Sequence, residues 1–396
     1  MTPNVVDLLI AVLLIASVGT GLGAGLFAVL GSVCGLVLGA LAAPWVLPLV
    51  ARAVPESGPR GLLLVLTVVA LLAVGASIGA AIGRVVRRGA DRLKLRLVER
   101  MLGGLTALVA SALAITMVGS SIAAAGVPVL SATVASSSVL RTVERYIPQP
   151  LADAAARLNA FAFGETVLPT LEGLLQPGQL DAAPEATPID LATPELERAA
   201  GSVVKVSGAA DGCGVVSTGT GFVIAEDRII TNAHVLAGVR APIVEVPGEP
   251  ARDATVVYFD PIDDIAVIAA DVQAEPLGLA GALAPGEGGA VMGYPFGGPF
   301  RVMGAGVVSS SSAPVRDIYG DSTALRSVYA LRAQVEPGNS GGPLLTAGGQ
   351  VAGMVFAKDA ATPDVGYAMT NDELLPVIAQ LDEASAPVPV GACIPR

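Results

Sequence analysis

Four long apolar runs crowd the first 125 residues of this 396-residue chain, and they restrict its fold more than any other feature. They cover residues 5–20, 22–50, 61–83 and 102–125. A helix crosses a bilayer core with about 20 apolar residues. Inside that core the backbone must satisfy its own hydrogen bonds, so such runs are expected as helices. Pro44 and Pro48 predict a break or kink near the end of the second run. Gly31, Gly35 and Gly39 recur every fourth residue and fall on one helix face. That spacing lets a neighbouring backbone approach closely, although background glycine in a Gly-rich chain explains it equally well.

Charge divides the chain at the same place. Residues 1–125 carry nine Lys/Arg and four Asp/Glu, whereas residues 126–396 carry 14 basic and 30 acidic side chains. An acidic soluble half argues against nucleic acid as a partner, because phosphate binding needs a basic surface. The connection between the third and fourth runs holds Arg84, Arg87, Arg88, Arg92, Lys94, Arg96 and Arg100 against Asp91 and Glu99. Positive loops stay in the cytoplasm, so the soluble part is expected on the extracytoplasmic side, as is the N-terminus. The first run is not expected to be a cleaved signal peptide, since Asp7, and no basic residue, stands at its start. The lipid bilayer is therefore an expected partner of residues 1–125. Apart from Asp7 the spans have almost no central charge, which disfavours an ion or proton pathway.

Residues 126–197 are transitional. Residues 139–146 and 151–163 have the spacing of short helices. Further on, Pro177, Pro184, Pro188 and Pro194 alternate with Ala and acidic residues, the composition of an extended linker. That linker is either a plain spacer or a processing site. Cys34 lies in an apolar run, while Cys213 and Cys393 flank the soluble part. An oxidising compartment allows a Cys213–Cys393 bridge closing a loop of about 180 residues, worth up to ~5 kcal/mol in chain entropy. Two unrelated thiols are the alternative.

From residue 198 to 396 the pattern changes to short β-runs broken by Gly, Pro, Asn and Asp, as at residues 202–206, 221–224, 229–231, 255–259 and 350–356. Such a pattern predicts an all-β sandwich or barrel. Three segments in it carry chemistry. Thr231-Asn232-Ala233-His234 contains the only histidine in the chain, which excludes a metal site built on several histidines. Asp263-Asp264-Ile265-Ala266-Val267 puts a carboxylate just before an apolar strand, where it can orient an imidazole; Asp263 and Asp260 are weaker candidates. Glu336-Pro337-Gly338-Asn339-Ser340-Gly341-Gly342-Pro343 surrounds a hydroxyl with small residues. A serine nucleophile needs an adjacent base, backbone N–H groups for the oxyanion and room for the substrate.

The order His, Asp, Ser with these flanks resembles the chymotrypsin-fold proteases, nearest to the bacterial trypsin-like and high-temperature-requirement (Deg) branch. Gly293-Tyr294-Pro295 and Gly366-Tyr367-Ala368-Met369 add to the likeness. It covers about residues 198–385 and implies a chymotrypsin-like double β-barrel. The membrane region, through Val5-Val6-Asp7-Leu8-Leu9 and its glycine-rich spans, resembles the colicin V production protein family. Only 56 residues follow Ser340, too few for the PDZ domain that Deg proteases carry. The combination resembles the actinobacterial membrane-anchored periplasmic serine proteases linked to acid resistance. The expected architecture is thus a multi-span α-helical membrane domain, a linker and an all-β protease.

The resemblance implies a serine endopeptidase that needs no cofactor and acts on protein or peptide substrates in the cell envelope. Ser340 would attack the scissile carbonyl, with His234 as general base, Asp264 orienting it, and the N–H groups of Gly338 and Ser340 as the oxyanion hole. Gln334 would lie near the base of the primary pocket, and the strand around Val355, Phe356 and Ala357 would pair with substrate backbone. A neutral residue at 334 implies a neutral or apolar preference. The competing expectation is a catalytically silent protease fold serving as a sensor or binding module.

Overall fold

A computed structural model describes residues 4–53, 60–90, 96–124, 130–163, 168–174, 178–210, 215–381 and 386–394. Two compact units divide the chain, Met1–Thr116 and Met117–Arg396.

The first unit is built from α1 (Val5–Ala24), α2 (Leu26–Ala53), α3 (Arg60–Ala90) and the start of α4 (Arg96–Ala124). All four are long and apolar enough to cross a membrane. Their outward side chains are aliphatic, with Leu8, Val69, Ile82 and Leu105 all exposed, as a lipid-facing surface requires. Asp7 closes a capping box at the start of α1, accepting from the Asn4 N–H at 2.9 Å while Asn4 Oδ1 accepts from the Asp7 N–H at 2.9 Å. Contrary to the expected break, α2 continues through Pro44 and Pro48. Each proline removes a single main-chain donor, and a helix in a membrane tolerates that loss. α1 ends at Gly25, whose φ is 83°. There Arg87 donates to the Ala24 carbonyl at 2.5 Å and pairs with Glu99 at 3.3 Å. The repeated glycines are not background. Gly31, Gly35 and Gly39 of α2 lie against the backbone of Gly79, Gly75 and Leu71 of α3, where any added Cβ would overlap a carbonyl oxygen.

In the second unit α5 (Leu130–Ala135), α6 (Ser138–Tyr146), α7 (Gln149–Phe163), β1 (Thr170–Leu171), α8 (Gln179–Ala182) and α9 (Pro194–Ala200) precede the main sheets. The first sheet comprises β2 (Val203–Ala210), β3 (Val215–Ala225), β4 (Arg228–Thr231), β5 (Ile243–Glu245), β6 (Arg252–Asp253), β7 (Thr255–Asp260) and β8 (Ile265–Ala269), with α10 (Ala233–Leu236) between β4 and β5. Its order is β6-β5-β2-β3-β4-β8-β7. The second comprises β9 (Gly288–Gly293), β10 (Arg301–Arg316), β11 (Thr323–Arg332), β12 (Pro343–Leu345), β13 (Val351–Asp359) and β14 (Val365–Thr370), followed by α11 (Asn371–Ile378). It runs β1-β13-β12-β9-β10-β11-β14, and β14 also pairs with β13, so its six long-range strands close into a barrel. One apolar cluster joins the two sheets, with Phe222, Ile230 and Val267 from the first and Met292, Met354 and Met369 from the second. Separate clusters fill each interior, around Val206, Ile229 and Ile268 in one and Tyr329, Leu344 and Val355 in the other.

The stretch expected as an extended linker is laid along this body. Leu180, Ala183, Ile189 and Leu191 pack on the shared core, and the Thr187 N–H donates to the Gly286 carbonyl at 3.0 Å. Its prolines prevent regular structure, but its scattered aliphatic side chains still bury against a sheet surface already formed.

Candidate active site

One antiparallel ladder brings His234 and Asp264 together. β4 pairs with β8 in the register Thr231↔Ala266, so the residues just beyond β4 lie opposite those just before β8. Asn232 is the N-cap of α10, and that single turn carries His234. His234 Nδ1 lies 2.8 Å from Asp264 Oδ2 and 3.1 Å from Oδ1. The backbone N–H of His234 donates to Oδ1 at 2.9 Å. Asp264 itself is left-handed, with φ 58°, a conformation most side chains avoid. Asn232 holds it there by donating from Nδ2 to the Asp264 carbonyl at 2.9 Å. All three residues are buried. Asp263 points elsewhere; burial, then the neighbouring Asp260 carboxylate, raise its pKa.

Ser340 sits in the turn between β11 and β12. Two tight bonds shape that turn, Asn339 N–H to the Glu336 carbonyl at 3.0 Å and Gly342 N–H to the Asn339 carbonyl at 2.9 Å. Gly338 (φ 94°) and Gly341 (φ 81°) take left-handed backbone, and a Cβ on Gly341 would overlap the Thr220 carbonyl. The N–H groups of Gly338 and Ser340 donate to no acceptor among the described residues. Buried N–H groups are rarely left so, and a pair of them in one turn forms a ready site for an anionic oxygen. The Ser340 hydroxyl makes no hydrogen bond to the imidazole in this conformation.

β3 joins the two halves. The Thr220 N–H donates to the Ser340 carbonyl at 2.8 Å. The Thr220 hydroxyl donates to the Gly338 carbonyl at 2.7 Å and accepts from the Tyr294 N–H at 3.0 Å. Thr231 in turn donates to the Thr220 carbonyl at 2.6 Å. A Cβ on the adjacent Gly219 would overlap the Val235 side chain, next to His234, and press on the Ser340 carbonyl. Neither Thr220 nor Asn232 had been assigned a role from sequence. The available signal for Thr220 was its position between Gly219 and Gly221, where a strand is stripped for close approach.

The expected pocket residues divide. Gln334 is exposed, while Val355, Phe356 and Ala357 are buried in β13. Val355 uses its backbone on the nucleophile turn, accepting from the Gly341 N–H at 2.8 Å and donating to the Gly342 carbonyl at 2.9 Å. Phe356 falls at a bulge between Val355 and Ala357 and packs beneath the Arg326 guanidinium, 5.9 Å from its ring centre. Cys213 lies outside the described residues, and Cys34 is a free, exposed thiol. No group of three or more His, Cys, Asp or Glu side chains among the described residues could hold a metal ion.

Comparison with known proteins matches this geometry to a family. Residues 219–354 match the trypsin-like peptidase domain, and residues 6–148 match the colicin V production protein. Serine protease Rv3671c of Mycobacterium tuberculosis is 36% identical over 271 residues, 67% of each chain. The crystal structure of that protease in its active form covers 57% of this chain and all of its own, at 37% identity and a TM-score of 0.53. Mitochondrial serine protease HTRA2 of Bos taurus is 34% identical over 164 residues, 40% of this chain and 35% of its own. This chain belongs to the trypsin-like serine endopeptidases, in the group that joins the peptidase domain to a colicin V production-like membrane region.

Proposed function

We propose that the chain cleaves peptide bonds of cell-envelope proteins through Ser340, His234 and Asp264, on the extracytoplasmic side of the membrane. The observation that carries this is the buried His234–Asp264 pair, set against the same strand that holds the Ser340 turn. The carboxylate facing Nδ1 requires the proton on that nitrogen, which leaves Nε2 as the base. Ser340 Oγ attacks the scissile carbonyl as Nε2 takes its proton; the tetrahedral oxyanion is received by the N–H groups of Gly338 and Ser340. The imidazolium, stabilised by Asp264, then protonates the leaving amine. The basic connection between α3 and α4 supports the orientation. A Cys213–Cys393 bridge belongs to the same proposal; among the described residues Cys34 is the free thiol. A role in envelope stress or acid resistance, with self-cleavage in the Pro/Ala-rich stretch from Gln176 to residue 197, completes it.

Membranes carrying wild type, Ser340→Ala or His234→Ala, treated with a fluorophosphonate probe, test the chemistry. Labelling should require Ser340 and His234, and a labelled Ser340→Ala protein would refute the assignment. Immunoblotting tests self-cleavage: a shed fragment of about 200 residues is expected in wild type and absent in Ser340→Ala.

A further inference from the structure

Residues 168–171 lie along the β13 edge that continues from the nucleophile turn. Beyond its bonds to Gly341 and Gly342, β13 presents a free edge at Lys358 and Ala360, and β1 takes that edge. The Lys358 N–H donates to the Pro169 carbonyl at 3.0 Å, and the Ala360 N–H to the Leu171 carbonyl at 3.0 Å. Leu168, one residue earlier, is 2% exposed and belongs to the apolar cluster that also holds Val335, Val355 and Ala368. These are the walls beside the nucleophile turn. Val355 bonds both Gly341 and Gly342, Ala368 is the register partner of Val355, and Val335 packs over Gly366, the partner of Lys358.

We propose that Leu168 occupies the primary specificity pocket, that this pocket therefore selects a mid-sized aliphatic side chain, and that residues 168–171 form a built-in occluding strap. The proposal rests on the Ser340 reading above. Its key feature is direction. β1 runs parallel to β13, in the register Thr170↔Lys358 and Leu171↔Asp359. A productive substrate places the residues preceding its cleaved bond along this edge and so runs towards Ser340, antiparallel to β13. The strap has the residues following Leu168 there, running away from Ser340. It fills the pocket and satisfies the edge, yet presents its peptide bonds in the wrong sense for attack, so it blocks the cleft without being consumed.

Ahead of the strap in sequence, α7 sets the Arg157 guanidinium 5.2 Å from the ring centre of Phe296 in the turn at Pro295–Gly297, and its Asp153 pairs with Arg301 at the start of β10 at 2.5 Å. That turn binds the nucleophile segment by the Phe296 N–H donating to the Pro337 carbonyl at 2.5 Å.

The test uses the full chain in detergent or nanodiscs, with fluorogenic tetrapeptides ending in Leu or in Arg before the scissile bond. Leu168→Asp removes the apolar anchor and should raise hydrolysis of the Leu peptide about tenfold or more over wild type, the population shift expected when one buried leucine is lost. Leu168→Ala should act in the same direction, less strongly, and decides the matter if the aspartate variant does not fold. A synthetic peptide of residues 166–173 should inhibit Leu168→Asp and remain intact on mass spectrometry. Unchanged rates in folded variants, cleavage of that peptide after Leu168, or preference for the Arg peptide would each overturn the proposal. If no variant hydrolyses either peptide and none takes a fluorophosphonate, it is the Ser340 reading that fails.

Discussion

Replacing Thr220 with valine tests whether β3 sets the nucleophile turn. Valine keeps the shape of a side chain that is wholly buried, so packing is retained. What is lost is the hydroxyl that donates to the Gly338 carbonyl at 2.7 Å and accepts from the Tyr294 N–H at 3.0 Å. The Gly338 carbonyl then stays buried without this hydrogen bond, at about 1–3 kcal/mol. The middle of that range gives a destabilisation of about 2 kcal/mol, or a Tm lower by roughly 4–8 °C at the 2–4 °C per kcal/mol usual for domains of this size. Gly338 also supplies, on the other side of its Cα, the N–H that is one of the two proposed oxyanion donors. Losing its tether should reduce kcat by about 10–100-fold, the scale of a displaced oxyanion donor, while KM changes little. Thr220→Ser restores the hydroxyl and should recover most of the activity. Peptide hydrolysis and a thermal melt on the three proteins provide the check. A valine variant with wild-type kcat and wild-type Tm would refute the claim that this hydroxyl holds the turn.

Three further outcomes follow from other contacts. Asp264→Asn cannot enforce the proton on His234 Nδ1 and should lower kcat by roughly 10³–10⁴-fold with the fold intact; circular dichroism alongside steady-state kinetics checks both halves. Gly35→Val places a side chain into the Gly75 backbone and should separate α2 from α3, lowering the melting temperature in detergent, whereas the same change at Gly23, which has open space around it, should not. Burial would raise the pKa of Asp359, but the Tyr367 hydroxyl at 2.7 Å and then the Thr362 and Ala361 N–H groups outweigh it and hold the carboxyl below its ordinary 3.8. A lowered pKa in the folded state means stability that is present above that ordinary value and lost as pH falls through the depressed one. Asp359→Asn should therefore flatten the pH dependence of unfolding below about pH 4, as denaturant titrations across that range would reveal.

The four apolar runs and the three chemical segments were legible because each is a local pattern. A span needs only a run of apolar residues, and a serine turn needs glycines within two positions of the hydroxyl. The repeat of Gly31, Gly35 and Gly39 marked a close-packing face but not its partner, since Gly75 and Gly79 of α3 meet it only after the helices pack. No break occurs at Pro44 and Pro48, because a proline's effect depends on what else satisfies the backbone.

Residue type and short spacing in the sequence alone determined that this chain has four apolar helices, an all-β protease part and one usable histidine. Tertiary structure decided how the His234–Asp264 pair is coupled to the Ser340 turn, because the coupling is Thr220, a threonine 118 residues from the carbonyl it binds. It also decided what fills the cleft. Nothing in the string around Leu168 distinguishes it from any linker leucine; only the closure of the second barrel creates the apolar walls and the open β13 edge that it meets. Hydrogen bonds and burial between distant segments depend on which surfaces the fold brings together, and no local pattern encodes that.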